Sequence, residues 1–208
     1  MKLIETILNV IFPIKCGICG KVGKVNICEK CYLNLKKYIL LNLEDDVFYM
    51  LKYSELIRSK MIDFKFNDKP YLYHMFCEIL VKSKSGCDFV KNYDIIIPVP
   101  MNESKKLIRG YNQSELFAKG ISKMLEIPIS IDSLIKCKNT LMQSSLGKNY
   151  RTKNVKNAYK VERLEKIKNK NVLLVDDIYT TGATIKECKK VLQQANVKNV
   201  GVLIIAKD

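Results

Sequence analysis

Val172-Leu173-Leu174-Val175-Asp176-Asp177-Ile178-Tyr179-Thr180-Thr181-Gly182-Ala183-Thr184 decides the reading of this 208-residue chain. A continuous apolar run of four residues ending in acids is the mark of a central parallel strand buried on both faces. Downstream, Ile185, Cys188, Val191, Leu192 and Ala195 recur at helical spacing, and Thr184-Ile185-Lys186-Glu187 reads as a capping box that starts that helix. Val200-Gly201-Val202-Leu203-Ile204-Ile205 is a second buried strand. Residues 171–206 are therefore a β-loop-α-β unit, which calls for a right-handed crossover.

The loop between strand and helix has the chemistry of a phosphate seat. A helix N-terminus offers unpaired N–H groups and the positive end of the helix dipole. Gly182 lets the backbone approach an anion closely. The hydroxyls of Thr180, Thr181 and Thr184 add donors without adding charge. Asp176 and Asp177 would repel a phosphate, so they call for another partner: the 2′- and 3′-hydroxyls of a ribose, or the metal that neutralises a pyrophosphate. The pattern asks for a sugar phosphorylated at one end. Neither G-x-x-x-x-G-K-[ST] nor G-x-G-x-x-G occurs, which removes the Walker-type and dinucleotide readings.

Outward from this unit, Asp94-Ile95-Ile96-Ile97-Pro98-Val99-Pro100 reads as another buried strand leading into a loop. Asn112-Gln113-Ser114-Glu115 reads as a capping box for a helix offering Leu116, Phe117, Ile121, Met124 and Leu125 to one face until Pro128 stops it. Residues 93–208 thus alternate strands and helices as an α/β domain does. A helical region over about 46–90 precedes them, and residues 1–40 form a separate cysteine-bearing segment.

The stretch D-D-x-x-x-T-G-x-T after a hydrophobic strand resembles the 5-phosphoribosyl-1-pyrophosphate motif of type I phosphoribosyltransferases. Pro98-Val99-Pro100, Arg109-Gly110-Tyr111-Asn112-Gln113 and Gln143…Leu146…Arg151…Asn154-Val155 follow in an order that, with the cysteine pairs, resembles the ComF family of ComFC-type competence proteins. The resemblance implies a type I phosphoribosyltransferase-like parallel sheet with helices on both faces and a small hood. It implies that Asp176 and Asp177 hold ribose hydroxyls, and that Thr180, Thr181, Gly182, Ala183 and Thr184 hold the 5′-phosphate. Residues 99–105, including Pro100 and Lys105, would lie near the pyrophosphate, and 139–156 would form a loop closing over the ligand. Lys65, in Phe64-Lys65-Phe66, fits a lysine common in the family's hood, and equally suits an exposed residue between buried ones.

A leaving pyrophosphate needs Mg²⁺ and cations. Lys105, Lys106, Arg109, Lys148, Arg151 and Lys153 are available. Arg109 and Arg151 are preferred because a guanidinium pairs bidentately with phosphate, the alternative for each being an ordinary surface cation. Two functions remain open. One is an enzyme displacing pyrophosphate from C1 of the ribosyl donor. The other, implied by the family, is a non-catalytic adaptor in DNA uptake, with single-stranded DNA and a competence helicase as partners.

Cys16-x2-Cys19 and Cys28-x2-Cys31 supply four thiolates in two chelating pairs. That is enough for a closed tetrahedral zinc site, structural because no coordination position stays open. A redox pair and an iron–sulfur cluster are the rivals. The eight-residue linker predicts a minimal knuckle, with Gly20 in the turn. With Tyr32 and Tyr38 and its own positive balance, the knuckle either touches single-stranded nucleic acid or caps and stabilises the hood.

The eight cysteines in a lysine-rich chain fit a reducing, cytoplasmic compartment better than a disulfide framework. No apolar run of eighteen residues suggests a transmembrane segment. Leu3, Ile4, Ile7, Leu8 and Ile11 suggest a short amphipathic helix packing on its own domain, with membrane contact as the alternative, instead of a secretory signal. The net charge is +15, with sixteen Lys and Arg against six acids over residues 102–170. That excess suits a polyanion, and equally a solvated surface. His74, the only histidine, sits among aromatic residues, where packing explains it better than catalysis.

Overall fold

The computed structural model describes residues 13–137 and 155–208. The N-terminal helix expected over residues 3–11, the cations Lys148, Arg151 and Lys153, and all of the expected closing loop except Val155 and Lys156 lie outside the described residues.

A five-stranded sheet runs in the order β1-β2-β7-β6-β3, where β1 is Ile39–Glu44, β2 Val47–Lys52, β3 Ile95–Pro98, β6 Asn171–Tyr179 and β7 Asn199–Lys207. Strands β2, β7, β6 and β3 are parallel to their neighbours, and only β1 is antiparallel. A second, two-stranded antiparallel ribbon joins β4 (Leu134–Lys136) to β5 (Tyr159–Val161).

The expected buried strands form because their side chains serve two cores. Leu173 and Val175 of β6 join one apolar cluster, Val172 and Leu174 the other. Helix α6 (Gln113–Leu125) covers the first face through Phe117, Ala118 and Ile121. Helix α8 (Ala183–Gln194) covers the second through Ile185, Cys188 and Leu192. Met124, expected on the buried face of α6, is instead exposed.

The helical middle region begins later than expected. Residues 47–52 are strand β2, paired to β7 in the main sheet. Asp45 and Asp46 both take positive φ, at 47° and 63°, so a two-residue turn folds β1 back onto β2. Val47-Phe48-Tyr49-Met50-Leu51 is rich in strand-favouring side chains and is buried throughout, which overrides a helical register. Helices then follow as α2 (Glu55–Phe66), α3 (Leu72–Val81) and α4 (Lys84–Lys91), and a single turn, α7 (Leu164–Ile167), precedes β6.

The N-terminal knuckle, with helix α1 (Glu29–Leu35), has no core of its own. Cys16, Ile27, Cys31 and Leu35 belong to the same apolar cluster as Leu72, Met75 and Phe76 of α3. The Asn26 backbone N–H and side-chain amide both donate to Glu78 on α3, at 2.8 and 3.3 Å. Among the described residues no helix is long and apolar enough to cross a membrane.

Candidate functional site

Strand β6 stays extended past its apolar run through Asp176 and Asp177 to Tyr179. Successive strand residues point to opposite faces, so the two carboxylates part. Asp177 goes to the face covered by α2 and α6, where its Oδ2 lies 2.9 Å from Lys65 Nζ, both side chains being largely shielded. Asp176 Oδ1 accepts from Ser114 Oγ and from the Asp177 backbone N–H, each at 2.9 Å. Burial, then the neighbouring Asp177 carboxylate, pushes the Asp176 carboxyl up to about 7, against the pull of those hydrogen bonds and of Lys65.

The segment Arg109 to Gln113 sets this geometry. Asn112, the N-cap of α6, accepts from Ser114 N–H and donates its amide to the Val99 carbonyl at 3.0 Å. It thereby ties the end of β3 to the helix that presents Ser114. Tyr111 Oη and Gln113 Nε2 both donate to the Phe64 carbonyl, at 2.7 and 3.2 Å, fixing the end of α2 beside Lys65. Glu115 does not close the expected capping box on Asn112. Its carboxylate pairs with Lys106 at 3.0 Å and Lys119 at 2.6 Å.

The cations expected at a pyrophosphate divide. Arg109, at the end of helix α5 (Glu103–Arg109), donates to Gln113 Oε1 at 2.5 Å and lies over the Phe66 ring at 4.9 Å. Burial lowers its pKa, opposed by Asp177 and Tyr111. Lys106 is neutralised by Glu115. Lys105 is half-buried on the same helix, and Pro100 lines a cavity with Met101, Lys106, Leu134 and Lys136.

At the far side of the carboxylates, Gly182 caps α8 in the left-handed region, with φ 69° and no side-chain cap bond. A Cβ there would meet Tyr179 Oη at 2.3 Å. The helix therefore begins at Ala183, one residue before the expected capping position, and Thr184 sits inside its first turn. Glu187, expected to close that box, accepts instead from the Asn157 backbone N–H at 2.8 Å. Thr181 Oγ1 accepts from Ala183 N–H at 3.4 Å. Asp176, Thr180, Thr181, Gly182, Ala183 and Thr184 line one small cavity. Carboxylate oxygens thus face helix-terminal amides and hydroxyls across a single pocket, an arrangement able to accept hydroxyl donors at one end and hold an anion at the other.

Gln113 and Ser114 stand in sequence patterns, the family motif and the capping box, but their contacts with Phe64 and Asp176 arise only in the folded chain. Lys136 stands in no motif.

The second cluster is the knuckle. The Sγ atoms of Cys16, Cys19, Cys28 and Cys31 all lie within 4.8 Å of one another, the only grouping of three or more metal-ligand side chains among the described residues. Cys19 and Cys28 Sγ are 3.9 Å apart, against the roughly 3.8 Å edge of a tetrahedron with metal–sulfur bonds of about 2.3 Å. Burial opposes ionisation of Cys16, but backbone N–H groups of Cys19, Cys28 and Ile18 directed at its sulfur lower its pKa to about 6. Gly20, with φ 74°, makes the expected turn and donates to the Cys16 carbonyl at 2.8 Å. The four thiols are placed to bind a metal ion. His74 is exposed and its ring lies 3.9 Å from that of Tyr73.

Residues 112–208 match the phosphoribosyl transferase domain family. The chain is 31% identical to Competence protein F of Haemophilus influenzae over 199 residues, 92% of this chain and 84% of that protein. It is 29% identical to DNA utilization protein YhgH of Escherichia coli O157:H7 over 114 residues, 55% of this chain and 49% of that one. Among solved structures, the glutamine phosphoribosylpyrophosphate amidotransferase from B. subtilis covers 69% of this chain and 30% of its own, at 17% identity and TM-score 0.45.

Proposed function

The chain belongs to the ComF (competence protein F) family, and from that premise we propose that it binds 5-phosphoribosyl-1-pyrophosphate with Mg²⁺ and works in DNA uptake for natural transformation. One observation carries the ligand reading: the Asp176–Asp177 pair lies near the end of β6, and the short loop after Tyr179 leads into a helix capped by Gly182 and not by a side chain, so that Asp176 and residues Thr180 to Thr184 line one cavity.

In this reading the Asp176 and Asp177 carboxylates accept from the ribose hydroxyls. The amides and hydroxyls of Thr180 to Thr184 hold the 5′-phosphate. Lys105, with Pro100 shaping the turn, faces the pyrophosphate, and Arg109 and Arg151 add guanidinium groups. Lys65 and Ser114 orient the carboxylates. Mg²⁺ fits as a companion of the ligand. Asp176 and Asp177 are the carboxylates that would face such an ion, and no cage of three acids exists among the described residues, so it would arrive bound to the ligand's own phosphates. Bound there, the ion would neutralise pyrophosphate charge.

The knuckle thiols fit a structural Zn²⁺, four sulfurs leaving no open position. A cytoplasmic setting with reduced cysteines suits this site and a phosphorylated sugar as ligand. Phosphoribosyltransferase activity would form a bond from an acceptor nucleophile to C1 as the C1–O bond to pyrophosphate breaks and pyrophosphate leaves with that electron pair, with no covalent enzyme intermediate, since positioning and electrostatics suffice. The relatives' names favour a second reading of the same pocket, in which it senses ligand while the basic surface engages single-stranded DNA and a competence helicase.

Measuring pyrophosphate release from the donor, Mg²⁺ and candidate acceptors separates the two. Steady release abolished by Asp177→Ala supports the enzyme. Donor binding without release, together with salt-sensitive binding of single-stranded DNA, supports the sensor.

A further inference from the structure

We propose that Lys136, on β4, is an inner cation for the diphosphate of the bound ligand, seated between the Pro98–Pro100 strand end and the phosphate loop; this rests on the phosphoribosyl reading above. Lys136 lines the cavity formed by Pro98, Pro100, Met101 and Lys106. It is half-buried, and makes no ion pair with any described residue. The other lysine of that cavity is already neutralised by Glu115 at 3.0 Å. Glu103 and Glu115 also line that cavity, Glu115 being committed to Lys106 and Lys119 and Glu103 exposed, so the half-buried ammonium of Lys136 has no carboxylate partner of its own, a costly arrangement unless an anion arrives.

The surroundings say which anion. Lys136 Nζ sits 5.3 Å from the centroid of the buried Tyr159 ring, on the paired strand β5. Tyr159 in turn lies beside Thr184 and Cys188 of α8. The ammonium is thus anchored from the phosphate-loop side while it opens toward the end of β3. Burial, then the charge of Lys105, depresses its pKa, and Cys188 and Asp176 oppose this. A compact multiply charged anion in that cavity would relieve the repulsion between Lys136 and Lys105. A diphosphate attached to the ribose that Asp176 contacts has that charge and that position. The pairing of β4 with β5 and the Tyr159 ring beneath its ammonium make Lys136 a preorganised group.

Calorimetric titration of the zinc-bound full chain tests this with three probes: 5-phosphoribosyl-1-pyrophosphate with Mg²⁺, inorganic pyrophosphate with Mg²⁺, and ribose 5-phosphate. Lys136→Met should weaken the first two by about ten- to a hundredfold, the loss of one charge-assisted contact. It should leave ribose 5-phosphate unchanged, while Lys136→Arg stays near the wild type. Lys136→Gln gives the same readout if the methionine variant melts early. Unchanged pyrophosphate affinity in these variants, or an equal loss for ribose 5-phosphate, overturns the assignment. Wild-type protein that binds pyrophosphate through Lys136 but not the phosphoribosyl donor sinks the ligand reading alone. Wild-type protein that binds neither sinks both.

Discussion

Lys65 and Asp177 form an ion pair at 2.9 Å that joins the last turn of α2 to the end of β6. The pair is held from behind, because Tyr111 and Gln113 both donate to the carbonyl of Phe64, the residue before Lys65. Helix α2, the start of α6 and the carboxylate pair are therefore tied together.

Removing the lysine should be felt as stability before it is felt as binding. Lys65→Met leaves two adjacent carboxylates with less compensation, and the expected loss is about 1–3 kcal/mol, the range for a shielded polar group losing its partner. A double-mutant cycle with Asp177→Asn, read by urea denaturation, should return a coupling energy of at least about 0.5 kcal/mol. Additive effects would show that the pair is incidental.

Asp176 gives the fold a defined pH dependence. Its folded-state pKa of about 7 exceeds that of an unfolded aspartate, about 3.9, so between these values the folded chain binds more protons than the unfolded chain. Stability from this group is then present in acid and lost as pH rises through about 4 to 7. Asp176→Asn should remove that slope and stabilise the ligand-free protein at pH 7–8, while abolishing donor binding. Urea midpoints across this range decide the matter, and an unchanged slope in the variant would exclude Asp176 as its source.

Gly182→Ala should damage the site and the fold together. The left-handed conformation costs a non-glycine residue about 1–2 kcal/mol, and the added methyl meets Tyr179 Oη. We expect a melting temperature several degrees lower and donor affinity reduced at least about tenfold. Gly23→Ala, where an added methyl meets nothing within 4 Å, should leave both properties near wild type.

The knuckle shares its core with α3, so its metal should stabilise more than the knuckle. Metal analysis should find one zinc per chain. Cys31→Ser should lose it and lower the melting temperature of the single transition, because Cys31 and Met75 lie in one cluster. Cys137→Ser, an exposed thiol outside the four, should change neither. Separate melting transitions for knuckle and sheet would contradict the continuous core.

What the sequence made legible follows from how local each signal is. Residues 171–206 were readable because strand, turn and helix each carry their own pattern, and the cysteine pairs because ligand spacing is local. Strand β2 was missed because a short buried apolar run has no period that separates strand from helix. The position of the α8 cap was missed because Gly182 in the left-handed region outcompetes the Thr184–Glu187 box. The half-buried place of Lys136 on β4 and the bond from Ser114 across 62 residues to Asp176 could not be read, since both exist only in the folded chain. Arg151, an expected pyrophosphate ligand, lies outside the described residues.

The most direct measurement is a calorimetric titration of the protein with 5-phosphoribosyl-1-pyrophosphate and Mg²⁺, repeated on the double variant Asp176→Ala with Asp177→Ala. The account predicts saturable binding by the wild type and loss of at least about a hundredfold in affinity for the variant, two charge-assisted contacts being removed. Equal affinity in the two proteins would contradict the claim that this carboxylate pair holds the ribose.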